Sequence, residues 1–200
     1  MNRLILLCVV GLTACQLAYT GGAKAVRRDS VPEGWLRAAP TPVIVQAQRR
    51  DCGLAALAMV AGAWGRTWSL DELTQQVPPG DQGVTLGRLR DFARAHGLDA
   101  YAVTGTFADL AHELENGHPV LLGLLLPFDH QNNLRHYEVA VAMNPADQTV
   151  VTRDPATGAL MQRTKKILDL EWGRAGYATM VVIGERGTSG ADLVRKENLP

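Results

Sequence analysis

Cysteine is scarce in this chain, with three residues among 200, at positions 8, 15 and 52. Charge of one sign is equally lacking. Twenty Lys and Arg balance twenty Asp and Glu, so the basic surplus that phosphate-backbone binding requires is missing and no nucleic-acid partner is expected. Long apolar runs are confined to the extreme N-terminus, which excludes a polytopic membrane protein. No repeat of fixed period appears, and no Gly-x-x-x-x-Gly-Lys-Ser/Thr loop is present for a nucleotide. The His and Asp residues lack clustered ligand spacing, so neither a metal nor any other cofactor is expected. What remains, 46% apolar and 20% charged residues over one domain's length, is the composition of a soluble globular body.

The N-terminus reads as an export signal over residues 1–14: Arg3, an apolar stretch from Leu4 to Leu12, then small residues. That stretch is shorter than the ~20 residues of a spanning helix. Leu12-Thr13-Ala14-Cys15 resembles the bacterial lipobox, which implies lipidation of Cys15 and an acyl anchor in the membrane. Gln16 replaces the Asp that would signal inner-membrane retention, so the resemblance implies the outer membrane, facing the periplasm. Residues 15–40, rich in Ala, Gly, Arg and Pro, read as a linker containing Gly21-Gly22, and residues 185–200 as a frayed tail.

Cys8 leaves with the signal and Cys15 goes to lipid, which leaves Cys52 as a lone thiol with no intramolecular disulfide partner. In an oxidising compartment such a thiol is either a buried small hydrophobe or a reactive group. Its setting favours reactivity. Asp51 is a good helix cap, and Leu54 to Ala63 is a run of strong helix formers with almost no polar atoms. Cys52 then falls in the first turn of a buried helix, where free N–H groups and the positive dipole end stabilise a thiolate.

The segment Gln46-Ala-Gln-Arg-Arg-Asp51-Cys52-Gly53-Leu-Ala-Ala-Leu57-Ala-Met59 resembles the active-site segment of the C39 peptidases. These are papain-like cysteine proteases that remove double-glycine leaders from bacteriocin precursors. The resemblance implies an α+β fold in which a helix bearing the Cys packs on an antiparallel sheet. It also assigns Gln46 to the oxyanion hole by its spacing from Cys52, with Gln48 as the competing amide.

A thiolate peptidase needs an imidazole and a group that orients it. His96 reads as a helix C-terminal residue, His112 as part of a helix over 107–115, and His118 as a residue before a strand; surface or capping roles suit all three. His130, in a polar loop, is a weaker alternative. His136 opens the alternating run to Met143, Asn144 to Asp147 form a turn, and Gln148 to Arg153 return as a second strand ended by Asp154-Pro155. A hairpin centred near Pro145 and Ala146 puts His136 roughly opposite Asp154. The same segments resemble the family's His strand and its Asp-Pro-Ala-x-Gly motif, which implies His136 as base and Asp154 as its partner. The likeness spans roughly Pro42 to Gly184.

The expected body, 41–184, includes a capping box at Ser69-Leu-Asp-Glu72, a helix over 86–95 capped by Thr85, a buried central strand over 119–126, a helix over 164–172 and a strand over 178–183. The expected function is that of a freestanding C39-type peptidase acting on exported peptides or proteins, with Gly-Gly-like sites as the cut the resemblance implies and an export system as a candidate partner. Its rivals are a papain-like acyl-transfer enzyme and a catalytically silent peptide-binding adaptor.

Overall fold

The computed structural model describes residues 22–127 and 133–185. Five helices, α1 (Cys52–Gly62), α2 (Leu70–Gln76), α3 (Leu86–Ala95), α4 (Phe107–Glu115) and α5 (Lys165–Arg174), surround one antiparallel sheet. Its strands are β1 (Lys24–Val26), β2 (Leu36–Arg37), β3 (Asp99–Thr104), β4 (Val120–Pro127), β5 (Asn133–Met143), β6 (Val150–Arg153), β7 (Leu160–Arg163) and β8 (Ala178–Ile183). The spatial order is β1-β7-β6-β5-β4-β8-β3, with β2 paired to the end of β5.

Local chemistry sets the helix starts. Ser69 and Thr106 each accept an N–H three residues on and receive a carboxylate in return, from Glu72 and Asp109, closing two capping boxes. Thr85 and Thr164 cap α3 and α5 by the same side-chain acceptance. α1 carries no polar stripe at all, so it is stable only if covered on every side. Its residues from Cys52 to Ala61 are all buried.

The sheet has apolar cores on both faces. β4 contributes Leu121 to one, where it meets α1, α2 and α3, and Val120, Leu122, Leu124 and Leu126 to the other, where it meets α4 and α5. The continuous apolar run of this strand is thus explained by burial on two sides.

The structure departs from the sequence reading in three places. From Gly22 onward, the stretch expected as a linker is laid on the sheet: β1 pairs with β7 and β2 with β5. β3 and β7 were not anticipated, although Ala100 turns inward while Tyr101 and Val103 remain about half exposed on the outer edge strand. The hairpin of β5 and β6 contains a bulge between Ala140 and Ala142, which shifts its register. The described helices include none long and apolar enough to cross a membrane. Residues 1–21, with Cys15 and Gly21 among them, and residues 186–200 lie outside the described residues.

Candidate active site

A 3-10 turn over residues 49–51 leads directly into α1 and sets Cys52 as its first residue, 6% exposed. The expected cap differs in detail. The Asp51 carboxylate turns back to accept the Gln48 N–H at 2.8 Å while the Asp51 N–H donates to Gln48 O at 3.0 Å, so it closes the preceding turn and makes no side-chain cap to α1. The next position, Gly53, is closely covered. A Cβ on Gly53 would stand 3.0 Å from the Tyr137 ring, which α1 presses against β5. Burial and the neighbouring Cys52 raise the Tyr137 phenol to about 12, against opposing effects of Arg135 and a bond to the Leu86 backbone.

β5 brings His136 to this helix start. Val139 pairs with Arg153, so the register carries Asp154 opposite Glu138, with His136 two residues further along the same face. The pairing expected to be direct for His136 is thus a diagonal one. The parity is unchanged, and the two side chains still meet: His136 Nε2 lies 2.7 Å from Asp154 Oδ1, with both residues buried. The imidazole also hydrogen-bonds Cys52. With Nε2 occupied by Asp154, the contact to Cys52 falls to Nδ1. Burial opposes charge on the ring, but the bonds to Asp154 and Cys52 and the negative charges of Glu138 and Cys52 outweigh it, lifting His136 to about 10.

Asp154 is held by its own loop. Burial alone would raise its carboxyl, yet His136, the Ala156 N–H at 2.8 Å and the Thr157 hydroxyl at 3.0 Å keep it below the ordinary range. The Gly158 N–H closes the loop on Asp154 O at 2.7 Å, with Gly158 at φ +71°, a left-handed conformation that glycine adopts without strain.

Gln46 sits beside this loop, its N–H donating to Pro155 O at 2.9 Å. One Nε2 hydrogen goes to Gln48 O at 3.1 Å, and the buried Oε1 has no hydrogen-bond partner. The structure therefore stitches the Gln46 segment to the Asp154 turn, while Cys52 and His136 meet from α1 and β5. Gln48 belongs to the turn before α1 and is exposed.

The remaining described histidines are engaged elsewhere: His96 Nδ1 with Phe92 O, His112 with Asn116, and His118 Nδ1 with Glu113, each within 3.3 Å. His130 lies outside the described residues. A groove of about 470 Å³ between α4 and β8, with Tyr101, Leu110, Trp172 and Val181 in its walls, includes none of Cys52, His136 or Asp154.

Sequence reasoning passed over one cluster. Glu138, two residues from His136 on the same strand face, is the sole charged side chain in an otherwise apolar run to Met143, and that polarity was its signal. It is bound by Arg163, which also reaches Glu171. Ligand atoms of His136, Glu138 and Asp154 lie within 4.8 Å of one another. Each is already engaged, in the His136–Asp154 bond or by Arg163 and Thr152, so the group is a hydrogen-bonded cluster and not an open coordination site.

Comparison with known proteins bears on the family and the fold. The model of the peptidase C39 family matches residues 40–181. Among solved structures, the double glycine motif protease from an AMS/PCAT transporter, in complex with the leader peptide, aligns with TM-score 0.59 and 18% identity, covering 74% of this chain and 94% of that one. The peptidase domain of Streptococcus ComA, a bi-functional ABC transporter involved in quorum sensing, aligns with TM-score 0.58 and 20% identity, over 71% and 97% of the two chains. A protein from Bacillus anthracis described as C39-like aligns with TM-score 0.63 and 17% identity, over 76% and 99%. No curated protein matches. With two thirds of the chain under the family model and the α+β papain-like fold in common, the chain belongs to the peptidase C39 family.

Proposed function

We propose that the chain is a cysteine peptidase that cuts exported peptides or proteins through Cys52, His136 and Asp154. The observation that carries this reading is the continuous bonded series from the Cys52 thiol through the His136 ring to the Asp154 carboxylate. In the proposed reaction the Cys52 thiolate attacks the scissile carbonyl. The free Gln46 Nε2 hydrogen and the Cys52 N–H receive the developing oxyanion. His136 protonates the leaving amine through Nδ1, while Asp154 fixes the tautomer through Nε2. Water, deprotonated by the same imidazole, then releases the acyl group and regenerates the thiol.

Small residues such as Gly-Gly before the cut are the substrate class we favour, since one structural neighbour is a double glycine motif protease holding a leader peptide. The N-terminal segment supports a further proposal, that Cys15 is lipidated and the enzyme faces the periplasm from the outer membrane. Loss of acyl labelling and of membrane fractionation in Cys15→Ser tests it.

The decisive test of the peptidase reading uses an electrophilic peptide ending in Gly-Gly at neutral pH. Labelling of Cys52, with cleavage of the matching substrate, supports the reading. Binding without labelling or turnover would establish a silent adaptor instead. Aminolysis products that form only with an added amine acceptor would establish acyl transfer.

A further inference from the structure

Behind the Cys52–His136 pair lies a buried group of charges that the proposed reaction does not use. Arg163 is 1% exposed, and Glu138 and Glu171 are each 2% exposed. The Arg163 guanidinium grips Glu138 with two parallel bonds, Nη1 to Oε2 at 2.7 Å and Nη2 to Oε1 at 2.8 Å, and donates from Nε to Glu171 Oε2 at 2.6 Å. The Thr152 hydroxyl donates to Glu138 Oε2 and accepts from Arg163 Nη1. The remaining Glu171 oxygen takes the Gly22 N–H at 2.7 Å. Two carboxylates share one guanidinium, so the cluster carries a formal net negative charge, and its end nearest the site is Glu138, within 4.8 Å of the imidazole.

Packing alone does not account for such a group. Desolvating three ions is costly, and an apolar set of equal volume commonly serves a core as well or better. A fixed carboxylate close to an imidazole in a dry interior has a direct electrostatic effect, however.

We propose that Glu138 is a positioning residue for His136: pinned by Arg163 and Thr152, its carboxylate supplies a second negative charge that holds the imidazolium between Cys52 and Asp154. The charged and titratable groups facing His136 are Cys52 from α1, Asp154 from the end of β6 and Glu138 from β5. Arg163 of β7 and Glu171 of α5 stand behind Glu138. The upward shift of His136 has a contribution from Glu138 through space, with no hydrogen bond between them.

This inference rests on the Cys52–His136 pairing proposed above, so its test reads the thiol without requiring turnover. Full-length protein is alkylated with iodoacetate across pH, and the rate at Cys52 is followed in its own peptide by mass spectrometry. The reagent's carboxylate makes the rate depend on the imidazolium, so the wild type gives a bell. Glu138→Gln moves the alkaline limb down by about one pH unit, and Glu138→Asp returns most of that shift. If Glu138→Gln does not fold, Glu138→Gln with Arg163→Met and Glu171→Gln removes all three buried charges, and the same limb is read there. A bell that these variants leave in place overturns the role of Glu138 alone. A wild-type profile without a bell overturns the pairing, and the inference with it.

Discussion

His136 is held at both ring nitrogens, by an acid on one side and a thiol on the other. Replacing any of the three therefore removes a different part of one unit. Cys52→Ala and His136→Ala are each expected to lower cleavage by about 10⁴-fold or more while the circular dichroism spectrum stays native. Asp154→Asn should leave weaker but measurable turnover, because Asn keeps an acceptor for the Ala156 N–H yet cannot fix the same tautomer. Wild-type steady-state kinetics in that variant would refute the assignment. Gln46→Ala should reduce kcat by roughly 10²-fold, the usual cost of one oxyanion donor. Cys52, His136, Asp154 and Gln46 could be named as candidates from the sequence, since residue type, spacing and the family resemblance point to them, and the structure shows the expected contact between His136 and Asp154. Glu138 was not, because what it does depends on Arg163, twenty-five positions away, and no local pattern connects the two.

At the scale of elements, legibility followed locality. α3 could be bounded from its cap Thr85 and its apolar spacing, and α4 from its helical run over 107–115, since such signals are local; the Thr106–Asp109 capping box came only with the structure. β1, β2 and β7 are two to four residues long, and each owes its existence to a strand that is distant in sequence or to a neighbour revealed only by folding. The bulge at Ala140 and Ala142 is of the same kind: it places one extra residue in β5, and that single-residue offset sets Glu138 rather than Val139 opposite Asp154, so Asp154 shares a face with His136. The Asp154 loop gives this scale its own test. A Cβ on Gly158 would come within 3.0 Å of Val43 and 3.1 Å of Val45, at a backbone angle that L-residues avoid. Gly158→Ala should cost about 1–2 kcal/mol in urea denaturation and should impair cleavage as well, since the same loop holds Asp154 and abuts the Gln46 segment.

For the molecule as a whole, the site makes stability depend on pH in both directions. His136 binds its proton more tightly folded, near pH 10, than unfolded, near 6.5. Its contribution is complete below about pH 6.5 and disappears as pH rises toward 10. Asp154 is shifted the other way, so its contribution is present above about pH 4 and is lost as acid titrates the native carboxylate. The urea midpoint of the wild type should thus fall between pH 7 and 10, and fall less steeply in His136→Gln; parallel slopes would refute the shift.

The bond from the Gly22 N–H to Glu171, with β1 zipped along β7, also bears on what the proposed peptidase could do to its own chain. A Cβ on Gly22 would collide with Ile167 at 2.4 Å, so that glycine is wedged in place. It is moored at the margin, three strands from β5, a span of roughly 14 Å at about 4.8 Å per strand. Scission at this glycine in cis would first require β1 to peel away, so while that strand stays seated, only a second molecule could make the cut.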